Sequence, residues 1–409
     1  MTKVDVAVVG AGLNGLVAAL ALGGPQAQRP VSVAVIDRYD PARFASASYD
    51  SRASALTLAT QRMFGVLGLW DEVKTHAQNM ERIVVTDGQS SDDRPTLLSF
   101  GINDAQKPVA AMVENHHLFK AALDLIGKSS TIQIISGQAL GEISFGPGLA
   151  QLHLADGNSI KASLVVGADG RNSMTREKAG LKLQGWDYSQ SAITLTVDHE
   201  LPHDGTAEEH FTPTGVFAVL PLVGNRSSLV WTDTHDRAKK LCALPDDQFL
   251  VELEHKFGTH RGKLTLASAR HVYPLSMKLA DSLTAPRLVL LGDAAHVIHP
   301  LAGLGLNLGF KDAAVLADCV ADAIAEGADM GGDAVLERYK QWRRFDTVST
   351  AYLLDGLNTL FANNTAALRA LRGVGLKIVD QSKGMKSLFM TEAAGQSGDL
   401  PRLMRGLAA

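Results

Sequence analysis

The chain has 409 residues, 46% of them hydrophobic and 20% charged, which is ordinary globular composition and enough for one large domain or a few smaller ones around a sizeable core. A formal net charge of -4, with no basic stripe in the first three quarters of the sequence, excludes the electrostatic footprint of a nucleic-acid-binding protein. Cys242 and Cys319 are the only cysteines, too few and too far apart for a disulfide framework or a thiolate metal site, and they point to a reducing compartment.

The opening MTKVDVAVVG enters a strand pattern directly, leaving no room for a charged n-region followed by a long apolar run, and nowhere do 18 consecutive apolar residues occur. The expectation is a cytoplasmic protein with no membrane-spanning segment. Val4 to Val9 is a β-branched run suited to a central parallel strand. Gly10, Gly12 and Gly15 follow as G-x-G-x-x-G, and Leu16 to Leu22 reads as helix. Glycines there let the backbone turn tightly and approach a pyrophosphate, whose charge then meets the unpaired N–H groups of a helix N-terminus. After the turn GGPQAQRP, VSVAVID supplies a second strand ending at Asp37, 22 residues past Gly15, where a carboxylate can accept the hydroxyls of an adenosine ribose. Arg38 is assigned to the same nucleotide site. The glycine pattern alone is often only a tight turn, but strand, glycines, helix, second strand and terminal acid together specify a nucleotide site.

A third apolar strand, ASLVVGADG, ends in Asp169 and Gly170, and a fourth, RLVLLGDAA, ends in Gly292 and Asp293. Open α/β sheets bind ligands beyond the carboxyl ends of their strands, so Asp37, Asp169 and Asp293 are expected on one rim. Taken singly, each also reads as a solvated turn aspartate. Between these strands, RIVVTDG, SAITLTVDHEL, GVFAVLPLVGNRSSLVWTDTH and LASARHVYPL alternate or run β-branched and aromatic around turn residues. They predict a mainly antiparallel sheet inserted into a Rossmann-like α/β fold, walling a substrate pocket. Phe217, Val219, Leu220, Pro221, Trp231 and Tyr273 are its candidate lining residues. The expected division is a nucleotide-binding domain over 1–79, 103–183 and 278–327, a substrate domain over 80–102 and 184–277, and a C-terminal helical region over 328–409.

His296 and His299 are three apart, but no H-E-x-x-H pattern or third ligand accompanies them, and no metal site is expected. In the tail, Leu357, Leu360, Phe361, Leu368, Leu371 and Val374 fall near helical spacing, and Leu388, Phe389 and Met390 sit among Lys383, Lys386 and Arg402. From Arg369 to Ala409 there are seven Lys or Arg against three Asp or Glu. Such a basic, apolar surface suits anionic lipid or a partner subunit, and equally suits packing onto the chain's own core.

The glycine loop, VVGADGRNSMTR and GDAAHVIHPLAGLGLNLGFKD together resemble the three fingerprints of FAD-dependent aromatic hydroxylases, the single-component flavin monooxygenases. YDSRASALTLATQRMFGVLGLW, MVENHHLFKAAL, FAVLPL and the tail are similar to the ubiquinone-biosynthesis hydroxylases within that family, so the resemblance runs from end to end. It implies bound FAD. Asp293 would hydrogen-bond the ribitol, and a helix starting near Ala302 would aim its amides at the flavin pyrimidine edge, with Pro300 starting that helix. Gly303 and Gly305 would bare the backbone against the ring, beside Leu306 and Asn307. Where the family reads H-P-x-A-G-Q-G-L-N, Leu304 stands for the glutamine, leaving backbone donors but no side-chain amide. Arg52 is similar to a family arginine near the flavin, and Asn115 falls near the cofactor's phosphate or ribityl region; a surface ion pair and a helix cap are the plain alternatives.

The family's chemistry implies reduction of the flavin by NAD(P)H or another electron donor, addition of O2 at C4a, and delivery of hydroxyl from the hydroperoxide to a polyprenyl phenol. No side chain is assigned as a catalytic acid, base or nucleophile, as fits a cofactor that carries the hard chemistry. Contact of the basic tail with the inner face of the membrane or with a quinone-biosynthesis complex stands beside packing onto the chain's own core as the two readings of that tail, with a homo-oligomer among the states allowed. A soluble aromatic substrate, a halogenase (disfavoured by the absence of a W-x-W pair) and a non-catalytic FAD-binding scaffold are the competing readings.

Overall fold

The computed structural model describes residues 2–48, 50–87, 94–101, 108, 110–300, 303–362, 382, 391 and 394–409, with the side chains of 360–362 left out. Apolar side chains on both faces of a strand need cover on both sides, and the first strands have it. Thr2–Val9 lies at the centre of an eight-stranded sheet, with Val6 and Val8 both fully buried. It pairs in parallel with Val33–Asp37 on one side and Ser159–Gly167 on the other, and Leu288–Leu290 continues the parallel series past Ser159–Gly167. The strands that precede Asp37, Asp169 and Asp293 therefore end side by side on one edge. Helices Leu13–Gly23, Asn115–Gly127 and Leu304–Ala325 contribute to the main core around this sheet.

A second, nine-stranded sheet is built around the long strand Leu183–His199, which pairs antiparallel with Arg226–Thr234 and with His271–Ala280. Gly215–Leu222 and Thr206–Thr212 extend it antiparallel, but Thr206–Thr212 then joins Arg82–Asp87 in parallel, so the sheet is mixed at that edge. One face is sealed by helices His235–Cys242 and Asp246–Phe257, whose Ala238, Leu241, Phe249, Leu253 and Phe257 pack with Ile193, Phe217, Leu229 and Trp231. Two of the expected divisions, 183/184 and 277/278, fall inside strands. Leu183–His199 starts at one such division and His271–Ala280 runs across another, while His296–Val297 adds an edge strand to the second sheet.

Helix Asp333–Ala362 packs across both sheets, and the chain's end returns to the main core through Leu403, Met404 and Ala409. Arg402 is anchored there: its N–H donates to Asp318 Oδ2 at 2.9 Å and its guanidinium pairs with Asp318 and Asp322. Arg402 is thus committed to the fold. The side chains of Leu360 and Phe361, and all of Leu368, Leu371, Val374, Lys383, Lys386, Leu388, Phe389 and Met390, lie outside the described residues. Among the described residues no helix is long and apolar enough to cross a membrane.

Candidate active site

The glycine loop has the close approaches that only glycine allows. Gly10 has φ +106°, and a Cβ on it would lie 2.4 Å from the carbonyl oxygen of Ala168; one on Gly15 would lie 1.9 Å from that of Gly10. Gly12 differs, because a Cβ there would meet nothing within 4 Å. It caps helix Leu13–Gly23 without any side-chain hydrogen bond, so open space stands over first-turn amides with no intrahelical partner. That arrangement fits a pyrophosphate. Asp37 Oδ2 accepts from the N–H of Ala11 at 2.7 Å and Oδ1 from Tyr39 at 2.8 Å, tying the loop to the second strand. Arg38 is exposed, its guanidinium 5.0 Å from the centre of the Tyr39 ring.

The three rim aspartates are not equivalent. Asp169 is used locally: Thr175 donates to it through both N–H and hydroxyl at 3.0 Å, and Ser173 through its hydroxyl. Asp293 has an exposed side chain that lines a cavity with Arg52. The left-handed turn at Gly292 (φ +59°) aims it there, and a Cβ on Gly292 would strike the Asn14 amide at 2.3 Å. Arg52 makes a two-point ion pair with buried Asp50, at 2.8 and 2.7 Å. This hydrogen bonding holds the guanidinium pKa above its ordinary value, whereas burial would lower it.

Helix Leu304–Ala325 starts two residues later than the sequence predicts. Gly303, in the left-handed conformation at φ +62°, is its N-cap, and no side chain caps it. Pro300 therefore lies in the preceding turn, where its carbonyl accepts from Gly303 N–H at 3.1 Å, and does not begin the helix. Leu304, Gly305 and Leu306 line the cavity. Asn307 is buried and fully occupied: its Oδ1 accepts from Thr57 N–H and Thr60 hydroxyl at 3.1 and 2.8 Å, and its Nδ2 donates to Ala55 O at 2.7 Å. Its amide fastens helix to strand. Asn115 is buried as well, accepting from Ser54 hydroxyl at 2.7 Å while its N–H donates to Arg52 O, and it does not line the cavity.

The cavity, of about 520 Å³, lies between the second sheet, the strand Ala53–Thr57 and the start of helix Leu304–Ala325. Arg52, Arg171, Tyr273, Asp293 and His299 contribute its polar wall; Val85, Leu98, Phe100, Phe211, Val216 and Leu357 are among its apolar lining. Side chains alternate along a strand, so Val216, Ala218 and Leu220 face it while Phe217 and Val219 face the opposite core. Its neighbour repeats the parity, with Ser228, Val230 and Thr232 in the cavity. The expectation that Phe217, Pro221 and Trp231 line the pocket is corrected: none does, and Phe217 and Trp231 meet edge to face at 5.9 Å beneath the covering helices. Of the substrate candidates in the sequence, Leu220 and Tyr273 lie on the cavity.

A buried charge network escapes sequence reasoning. Asp312 accepts from Arg343 Nε at 2.6 Å on one oxygen, and from Gly292 N–H at 2.9 Å and His296 Nε2 at 2.6 Å on the other. Burial pushes its pKa up, but His296 and Arg343 outweigh that and hold it below the ordinary carboxylate value. His296 thus secures the turn before Asp293, and among the described residues no cluster could hold a metal ion. His299 is buried in the cavity wall, edge-on to Tyr188 at 5.3 Å, and burial pushes its pKa down to about 4.

Loop, rim and chamber define a dinucleotide-binding protein with a chamber beside the rim that carries Asp293. Residues 3–348 match the FAD binding domain family. The chain is 41% identical over 406 residues to the ubiquinone hydroxylase UbiL of Rhodospirillum rubrum, covering 98% of this chain and 93% of that one. It is 32% identical over 394 residues to the 3-demethoxyubiquinol 3-hydroxylase of Escherichia coli, covering 96% and 98%. The crystal structure of p-nitrophenol 4-monooxygenase PnpA from Pseudomonas putida shares the fold with a TM-score of 0.81 at 20% identity, over 98% of this chain and 100% of that one. The chain belongs to the FAD-binding-domain family, among the FAD-dependent aromatic hydroxylases of ubiquinone biosynthesis.

Proposed function

We propose that this chain hydroxylates the ring of a polyprenyl phenol, with the ring at the polar wall of the cavity and the prenyl chain along its apolar wall. The reading is supported by a 520 Å³ cavity with a predominantly apolar lining and a few polar groups near Asp293, in a chain 41% identical to a ubiquinone hydroxylase. When bound, FAD supplies the redox and oxygen chemistry, with NAD(P)H or another donor and O2 as co-substrates. Gly10, Gly12, Gly15, Asp37 and Arg38 would hold its ADP end. Asp293 would accept from the ribitol, and the uncapped amides after Gly303 would face the electron-rich flavin edge, as fixed donors aimed at negative charge. Arg52, held in place by its ion pair with Asp50, presents its guanidinium on the same side.

The apolar lining excludes water while the ring is attacked, which keeps oxidising equivalents from being lost as peroxide. Leu220 and Tyr273 would orient the ring; no side chain needs to form a covalent bond with it. The enzyme would work at the inner face of the membrane, where such a substrate dissolves. Its basic tail is one route to lipid or to a quinone-biosynthesis complex. Mass spectrometry of quinone intermediates in a deletion strain tests the reading. Accumulation of a prenylated ring lacking one hydroxyl is expected, and an unchanged quinone pool would overturn it in favour of a soluble aromatic.

A further inference from the structure

We infer that the exposed aromatic face of helix Asp333–Ala362, together with Trp186, is the surface that seats this protein on a phospholipid bilayer beside its cavity. The inference rests on the polyprenyl-phenol reading for its choice of occupant, and on the following geometry for its location.

Phe345, Val348 and Tyr352 recur at helical spacing along one face, 79%, 38% and 55% exposed, with Leu353 at 44% alongside. Trp186, from the long strand of the second sheet, is 42% exposed, and its ring centre lies 6.4 Å from that of Tyr352. Single exposed apolar residues are ordinary, but a contiguous aromatic group marks an interaction surface. Charge on this stretch is sparse and one-sided. Between Arg344 and Leu354 the only other charged residue is Asp346, which is spent on Arg343 and Lys311 at 2.9 and 2.5 Å, while Arg344 is exposed beside Phe345. Tryptophan, tyrosine and phenylalanine next to a cation suit the headgroup region, where ring bodies bury and polar tips stay wet.

The face also lies one residue layer from the cavity. Asp355, on the same helix, accepts from Tyr188 hydroxyl at 2.6 Å and from Trp186 Nε1 at 3.3 Å. Tyr188 in turn packs edge-on against His299, and His299 and Leu357 line the cavity. A cavity of 520 Å³ takes the ring and the first prenyl units, and the remainder of a long prenyl chain would extend out of the protein. An exit past Tyr188 would deliver it onto this face and into the acyl layer.

The test uses the full FAD-loaded chain and vesicles of phosphatidylcholine and phosphatidylglycerol with brominated acyl chains. Tryptophan emission should be quenched on binding, and most of the quenching should vanish in Trp186→Phe. Phe345→Asp and Tyr352→Asp should each weaken co-sedimentation roughly tenfold or more, with FAD content and turnover of a detergent-dispersed prenyl phenol unchanged. No vesicle binding, or binding undiminished in both variants, would overturn the proposal. So would a dimer that Phe345→Asp converts to monomer in sedimentation velocity, since a second copy would then cover the face. Vesicle binding lost in both variants, in a protein that hydroxylates no prenyl phenol, would uphold the surface and refute the substrate reading instead.

Discussion

Asparagine at position 312 would test whether the turn that presents Asp293 depends on a buried charge. Asp312 is nine-tenths or more enclosed and accepts three hydrogen bonds, from Arg343 Nε, Gly292 N–H and His296 Nε2. An amide has one acceptor oxygen, so in Asp312→Asn its NH2 must face either the guanidinium or the Gly292 N–H, and one buried donor is stranded. Breaking a buried ion pair from one side costs about 3–5 kcal/mol; Arg343 keeps Asp346 as a second partner, so we expect the lower end, about 3 kcal/mol. Urea unfolding should show the loss. Flavin fluorescence titration should show weaker FAD retention, because Gly292 would no longer hold the turn. The pH dependence has a definite sign. With its folded-state pKa below the ordinary 3.8, the carboxylate contributes stability that is fully present above that value and is lost as pH falls from it through the folded-state value. The acid limb of the wild-type stability profile should flatten in the variant. Stability within about 0.5 kcal/mol of wild type, with an unchanged acid limb, would refute this reasoning.

Three further outcomes are expected. Asp293→Ala should weaken FAD retention by more than about tenfold, the size of a charge-assisted hydrogen bond or two, and unchanged occupancy after dialysis would remove the residue from the cofactor site. Phe217→Ala should cost about 3–5 kcal/mol in urea while leaving KM for the phenol near wild type, whereas Leu220→Trp should raise KM with a smaller effect on stability; the reverse pattern would show the strand parity to be misassigned. His299 has a folded-state pKa of about 4 against 6.5 when unfolded, so the unfolded chain takes up the proton first and stability falls as pH drops across that window. His299→Gln should remove a loss of roughly 3 kcal/mol there, and an unaltered profile between those pH values would contradict the burial argument.

Much of the nucleotide fold is legible in the sequence because its signals are local. Gly10 and Gly15 must be glycine to pass backbone at contact distance, and a β-branched run before them leaves few alternatives to a central strand. Parity in the second sheet is different. Gly215–Leu222 is buried at every position but Leu220, so no polar–apolar alternation tells which side chains face a ligand and which face the helices. Phe217 and Trp231 attract attention by size, and size marks core. Asp169 carries a readable local signal, since Ser173 and Thr175 follow at spacings that let them donate to it. Asp312 and Arg343 carry none: they are 31 residues apart on different helices, and Arg343 within WRRFD reads as surface charge although its side chain is fully enclosed.

These buried bonds bear on how the helix Leu304–Ala325 keeps its amides available. A Ser or Asp cap would stabilise its N-terminus by about 1 kcal/mol, but it would spend a donor that the proposed flavin contact calls for. Gly303 turns the chain into the helix without supplying any side-chain acceptor. The missing anchorage is found further along the helix instead. Asn307, at the end of the first turn, binds Ala55 O, Thr57 N–H and Thr60, and Asp312, more than a turn further on, binds the Gly292 turn and Arg343, so the helix is fixed by side chains while its first N–H groups meet no capping side chain. Rigidity of those amides then comes from groups that never touch the cofactor. A cofactor contact made by side chains would tolerate a loose helix; one made by backbone N–H groups, as proposed for this helix, requires that the helix itself not move, and that requirement gives the fully buried Asp312–Arg343 pair a role in the proposed cofactor site.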